Sequence, residues 1–294
     1  MKKVITRRDF MKKSAYALLG TAVGFSPLGS QSSGQQSRVV LIRHKDALDE
    51  NLKFNQTIIQ QMLDEAVTAL FGLDDAVKVF KQLVKPGDIV GIKSNEWNYI
   101  PTPPELENAI KQRVLDAGVE EANIGIDDRA VRKNPIFQKA TALINVRPLR
   151  THYLAGMSGC IKNYITFSEN WSANHPNNCE DLAQCFFLPM VKGKTRLNIL
   201  SALTPQFHGR GPHGFDRRYV WEYKGLIVGT DPVAVDSVAL RIIMAKRSEH
   251  FGGDNRLPAL PRHIRAADVK HKLGTSDPGK IELIKLGWKE GILI

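Results

Sequence analysis

Cysteine is scarce in this sequence: Cys160, Cys179 and Cys185 are the three among 294 residues. An odd count with no CxxC pair argues against a disulfide framework and against a ferredoxin-type cluster motif. The cofactor is therefore unknown, and an iron–sulfur cluster is not expected in this chain. The three thiols are either small buried hydrophobes or include a Cys179–Cys185 bridge. Glycine-rich phosphate motifs are missing as well. There is no Walker loop and no GxGxxG, which removes the commonest nucleotide signatures. No internal repeat is visible. No RRM-like or finger-like pattern occurs and the basic residues are dispersed, so no nucleic-acid partner is expected. Long apolar runs are absent too. The stretch Ala15 to Leu28 is too short and too rich in glycine for a membrane span.

What is present suits a folded chain. Hydrophobic residues make up 43% and charged residues 24%, enough to bury a sizeable core. The formal net charge is +11. Lys2, Lys3, Arg7, Arg8, Lys12 and Lys13 against Asp9 place +5 of it in the first 36 residues, leaving +6 for the rest. That mild excess is compatible with anionic ligands or simply with solubility.

The start reads MKKVITRRDFMKKSAYALLGTAVGFSPLGS. TRRDFMK, Thr6 to Lys12, matches the twin-arginine pattern of Ser/Thr, Arg-Arg, any residue, Phe, an apolar residue and Lys. The alternative is the basic n-region of an ordinary Sec signal. Residues 1–36 are read as a twin-arginine signal and a polar linker, and residues 37–294 as a single large α/β domain. The implied partner during export is the Tat translocase. The implied location is periplasmic, or otherwise across the cytoplasmic membrane. No clean A-x-A site follows, so the cleavage site and an uncleaved anchor both stay open.

Short apolar strands alternate with capped helices in the rest. RVVLIRH (38–44), IVGIK (89–93), NIGI (123–126), ALINV (142–146), TRLNILSAL (195–203) and GLIVG (225–229) read as strands. A helix is expected over the stretch from Asn55 to Gly72, and another over Asp74 to Leu83. A third follows Thr102 as N-cap with Pro103 at its first position, a Glu105 capping box and Gly118 at its end. A fourth follows Asp231 as N-cap and Pro232. The pattern predicts an α/β fold, a mostly parallel sheet with helices on both faces. Ligands in such sheets sit beyond the carboxyl ends of the strands.

Four places put polar residues just after a strand. They are Lys93-Ser-Asn95, Asp127-Asp128-Arg129, SGCIKN from Ser158 to Asn163 with His152 upstream, and Thr230-Asp231 with Asp236 beyond. Lys93 and Lys162 are either edge ion pairs or ammonium groups aimed into the crevice, able to bind an anion or act as base or nucleophile. Ser158 and Gly159 suggest a tight turn, with or without an anion. Asp231 is a helix cap. Asp236 lies among apolar neighbours and needs a partner, for which Lys93 or Lys162 is the candidate. Asp127 and Asp128 are either a divalent-cation site or a solvated loop. The segment Thr204 to Lys224 has no clear period and follows a strand end, as a lid would. It carries His208 and His213, a weak metal spacing, and no metal ligand set is assigned.

LVKPGDIVGIKSN, SGCIKNYI and GLIVGTDPVAVDSVAL, in this order, resemble the domain of unknown function 362 family over about Val39 to Gly287. The resemblance implies an α/β fold and points to Lys93, Asn95, Ser158, Gly159, Lys162, Asn163, Asp231 and Asp236. Members often carry twin-arginine signals, and some append a ferredoxin-like module that this sequence lacks. The resemblance supplies no reaction.

Three functions follow. The first is an exported enzyme acting on a small anionic substrate, with Lys93, Lys162 and Asp236 as catalytic groups. Asn95, Asp127, Ser158, Gly159, Asn163, Asp231 and His208 would then contact the ligand. The second is a non-catalytic protein that holds a ligand, metal or cofactor. The third is an accessory subunit with a redox partner protein in the envelope.

Overall fold

The computed structural model describes residues 36–209, 214–253 and 255–294. The twin-arginine motif, the stretch through residue 35, and Arg210 and His213 lie outside the described residues. The elements are β1 Ser37–Arg43, α1 Gln56–Phe71, α2 Ala76–Leu83, β2 Val90–Lys93, α3 Pro104–Asp116, β3 Ile124–Asp127, α4 Pro135–Lys139, β4 Ala142–His152 and β5 Gly156–Ser158. They continue with α5 Cys160–Asn163, β6 Thr195–Gln206, β7 Gly225–Gly229, α6 Pro232–Phe251, α7 Arg262–Val269 and β8 Ile281–Gly287.

The strands form one sheet in the order β3-β2-β4-β6-β7-β1-β8, with β5 pairing on β4. β3, β2, β4 and β6 are parallel, as are β1 and β8. β7 is antiparallel to both β6 and β1, so along this path it alone runs the other way. The expected mostly parallel α/β sheet is present. Its layers follow the two-residue period of the strands. Val40, Ile42, Ile92, Ile144 and Ile199 face a core shared with α1, α2 and α3. Val39, Leu41, Leu143, Leu200 and Ile227 face a second core with Phe137 of α4, Ile161 of α5, α6 and Ile264 of α7.

Local chemistry sets the helix ends. Asn55 caps α1 through the Ile58 amide, and Gly72 ends it at φ 68° in the left-handed region that suits glycine. Asp75 caps α2 through Val77 and Lys78. α3 corrects an expectation by one residue: its N-cap is Pro103, and Pro104 opens the helix. A proline pushes the residue before it to extended backbone, so Pro103 cannot be the first helical residue. The Thr102 hydroxyl instead accepts the Asn95 amide.

The reversed β7 corrects a second expectation. Gly229 pairs with Asn198 near the start of β6, so the chain leaves β7 at the amino edge of the parallel strands. Thr230 and Asp231 therefore point away from the crevice above β2 and β3. The segment between β6 and β7 is the turning end of an antiparallel pair, continued by the Gln206–Val220 bridge. Strand β8 escapes the sequence reading, because IELIKLG sets Leu283 beside Ile284 and so breaks the apolar–polar alternation of an edge strand. Among the described residues no helix is long and apolar enough to cross a membrane. Cys160, Cys179 and Cys185 are all free and buried.

Candidate functional site

The site is built where β4 outruns its neighbours. β2 ends at Lys93, level with Asn145, while β4 continues to His152. It then doubles back through β5, pairing Arg150 with Ser158. This hairpin lays Ser158, Gly159 and the α5 turn beside Arg147 and Arg150.

A carboxylate from α6 pins that turn. Asp236 accepts the Cys160 amide at 2.6 Å and the Ile161 amide at 3.0 Å. A Cβ on Gly159 would collide with the same carboxylate, so only glycine admits this approach. Burial pushes Asp236 up to about 7 against the pull of the two amides and of Arg147. The lysine partner expected for Asp236 is thus replaced by two backbone N–H groups, which satisfy a buried carboxylate without a second buried charge.

Lys93 is fully buried and saturated. Its Nζ donates to the Ser94 carbonyl at 2.6 Å, to Asp128 Oδ1 at 2.6 Å and to Asn163 Oδ1 at 3.4 Å. Burial lowers the lysine to about 8, opposed by Asp128. Burial also raises Asp128, but Lys93, the Glu96 amide and Arg147 more than cancel this and hold it below its usual value. Asn163 donates to the Lys93 carbonyl, to Asn145 Oδ1 and to the Val146 carbonyl. Asn145 donates on to Asn198. A chain of buried amides thereby crosses the sheet at one level, each holding the next.

Lys162 differs. It is 6% exposed. Among the described residues its ammonium meets no hydrogen-bond acceptor and no carboxylate. Burial lowers it to about 8, assisted by Arg147 and Arg150 and opposed by the Cys179 and Cys185 thiols. Arg147 reaches one carbonyl, that of Gly159, at 3.3 Å. Arg150 donates to Asn95 Oδ1 at 3.0 Å and lies 4.1 Å over the Trp97 ring. The Nε of each arginine is buried without a partner. Burial lowers Arg147 to about 10 and Arg150 well below its usual value. A guanidinium still keeps its proton at neutral pH.

These cations line one cavity of about 310 Å³, with Asn95, Trp97, Asp128, Ser158 and Asn163. His152 and His175 also face it. Burial, with Lys162 and the arginines nearby, keeps His152 neutral well below its usual value. Its Nδ1 accepts the Leu154 and Ala155 amides, which leaves the proton on Nε2. The hydroxyls of Ser158 and Thr166 are buried without partners. The volume suits a small ligand, at the low end for binding pockets.

The structure thus brings Lys162, Asn95, Ser158 and Asn163 to one cavity wall, with Lys93 directly behind through Asp128 and Asn163. Gly159 and Asp236 hold the turn beneath it. The remaining candidates lie elsewhere. Asp127 accepts from the Ala130 amide and from Asn134, a loop-fixing role, and diverges from Asp128. Asp231 caps α6 and holds Ser37 and the Thr275 amide. His208 packs on Tyr219 and Phe251 and meets Arg247 at 3.0 Å. No three His, Cys, Asp or Glu among the described residues converge as a metal-ligand set. Of the long β6–β7 segment, Phe215 packs on Trp97, which lines the cavity, with ring centroids 5.8 Å apart. Sequence pattern alone misses Arg147 and Arg150, because the apolar run ALINV ends at Val146 while the strand continues. The signal was there: ALINVRPLRTH is one continuous strand whose later residues pass the ends of its neighbours.

A family model described as a domain of unknown function, DUF362, matches residues 90–241. The chain belongs to this family. The matched stretch opens at β2 and closes inside α6, so it contains the whole cavity described above and leaves out β1, α1, α2 and β8. No curated protein and no solved structure matches the chain.

Proposed function

We propose that the protein is an exported enzyme acting on a small anionic substrate bound in the cavity at the end of β2 and along β4. One observation carries this reading: Lys162, Arg147 and Arg150 surround the cavity, and among the described residues none of the three makes an ion pair with a carboxylate, the nearest acids being Asp128 and Asp236, which act on the arginines from a distance. Asp128, the acid of the cavity wall, is already committed to Lys93. Buried charge without a partner is costly, and an anion in the cavity would relieve it. Arginine forks suit a carboxylate or phosphate, because two parallel N–H groups meet two oxygens. Catalysis rather than storage is favoured by Lys162, which burial lowers to about 8 so that its amine can exchange a proton near neutral pH, beside a neutral histidine and two hydroxyls able to hydrogen-bond a reacting oxygen. The twin-arginine sequence supports export, with the Tat translocase as partner.

Thermal unfolding of the full chain with inorganic phosphate or malonate tests the anion reading. A ligand at a hundred times its dissociation constant adds about 2.7 kcal/mol of stability. The rise should vanish in Arg150→Ala and Lys162→Ala. No rise in the wild type with either anion would sink the reading. Cell fractionation of an Arg7→Lys, Arg8→Lys variant tests the export route, and unchanged export would overturn it.

A further inference from the structure

Lys162 combines three properties that a merely anion-pairing lysine does not need. Its amine is sheltered, with 6% of the residue exposed, yet it lines an open cavity. Among the described residues it has no acceptor to hold it as an ammonium. The turn that carries it is fixed from below by Asp236 through two amides, so the amine is presented from a rigid base. Two guanidinium groups that cannot give up their protons stand on the same wall. Crowding by like charge and loss of water both favour the neutral amine, which is the nucleophilic form.

We propose that Lys162 is a covalent anchor for 2-oxo acids, its Nζ forming an imine with the ketone carbon while Arg147 and Arg150 hold the adjacent carboxylate. This rests on the anion-binding reading of the same cavity and names the substrate class. The Nζ lone pair attacks the carbonyl carbon, and the C=O π pair moves to oxygen, which takes a proton. Nitrogen then loses a proton, the hydroxyl is protonated and leaves as water, and the C=N bond forms. One amine and one ketone give one imine and one water, with no change in oxidation state. The hydroxyls of Ser158 and Thr166 stand on the cavity wall to relay these protons between nitrogen, oxygen and solvent, and His152 Nε2–H can donate a hydrogen bond to the departing oxygen. Once protonated, the imine draws electrons from the neighbouring carbon, the activation needed to break a C–H or C–C bond there. Lys93 cannot serve, because its ammonium is enclosed by Asp128, Asn163 and the Ser94 carbonyl.

The charged and titratable groups acting on Lys162 come from every side. Arg147 and Arg150 belong to β4, and Cys179 and Cys185 to the segment after α5. His152, His175 and His263 feel its charge in turn. None is a carboxylate that would hold the amine protonated.

The test is reductive trapping. The full chain is incubated separately with pyruvate, 2-oxobutyrate and 2-oxoglutarate, then treated with borohydride and examined by intact mass and peptide mapping. At least one acid should leave a single adduct on Lys162, equal to the acid less one oxygen atom. Trapping should strengthen as pH rises through about 8. Lys162→Arg keeps the charge and should lose the adduct, with circular dichroism as the check on folding. Thermal stabilisation by an oxo acid without an adduct from any of the three overturns the imine and leaves the anion reading standing. Adducts confined to other lysines overturn the imine as well. Neither stabilisation nor an adduct, together with no response to phosphate or malonate, overturns both.

Discussion

Lys93 and Lys162 are two buried lysines on the same side of one sheet, and burial brings each down to about 8. Their proton affinities therefore do not separate them. Their partners do. Lys93 ends a strand and meets a carboxylate, a carbonyl and an amide oxygen. Lys162 sits on a short turn and meets open space bordered by two arginines. A buried charge with a full set of partners is a structural tie, whereas one without partners is the group that a ligand of opposite charge would stabilise. On the proposed function, the first lysine organises the wall and the second meets the ligand.

The largest test of this contrast is removal of Lys93. Lys93→Met leaves Asp128 buried with the Glu96 amide as its remaining partner, and breaking a buried pair from one side costs about 3–5 kcal/mol. Urea unfolding should show that loss at neutral pH. A cost near zero would mean that Asp128 is solvated or protonated in the folded chain, and the contrast would fail.

Lys162→Met should do the opposite. The folded lysine titrates near 8 and the unfolded one at 10.5. The unfolded chain thus binds more protons between those values, and the wild type gains stability as pH rises through that window. Below it, the buried ammonium is a liability. At one pKa unit per 1.36 kcal/mol, the variant should be more stable than the wild type by up to about 3 kcal/mol at pH 7. The difference should close toward pH 10.5. A destabilised Lys162→Met at pH 7 would show that the ammonium has a partner in the fold. A stabilising change that abolishes anion binding is the trade expected of a binding residue.

Much of this was legible in the sequence. The strands were readable because buried parallel strands are short apolar runs. Asp231 was readable as a cap because Asp-Pro before an apolar helix is a local signal. The burial of Asp236 was readable as well, since a carboxylate among apolar neighbours requires a partner, whereas Lys93 and Lys162 stand out in the sequence by their place just after a strand. Their pairing was not. Asp236 finds backbone amides, and no spacing along the chain reports which N–H groups a fold will turn toward a carboxylate. The direction of β7 was hidden for a related reason. A long segment between two strands serves a crossover or an antiparallel excursion equally well, and only the antiparallel pairing of β7 with β6 and β1 decides. Arg147 and Arg150 stay hidden because hydrophobicity reports a strand only while it is apolar, and β4 carries its cations inside the strand.

The smallest expected effect on stability separates the two lysines most cleanly. Gly159 has an extended φ of −123°, open to any residue, so its requirement is space rather than backbone freedom. Alanine there puts a methyl against the Asp236 carboxylate, which must retreat or push the α5 turn outward. Overpacking of this kind costs about 1–3 kcal/mol. The displacement falls on the turn that carries Lys162, while Lys93 on β2 keeps Asp128. Gly159→Ala should therefore lose anion-induced thermal stabilisation while the Lys93–Asp128 pair persists. A double-mutant cycle on Lys93→Met and Asp128→Asn in the Gly159→Ala background reads that pair directly. If the coupling of that pair falls together with anion binding, the two lysines belong to one mechanical unit and the division of labour between them does not hold.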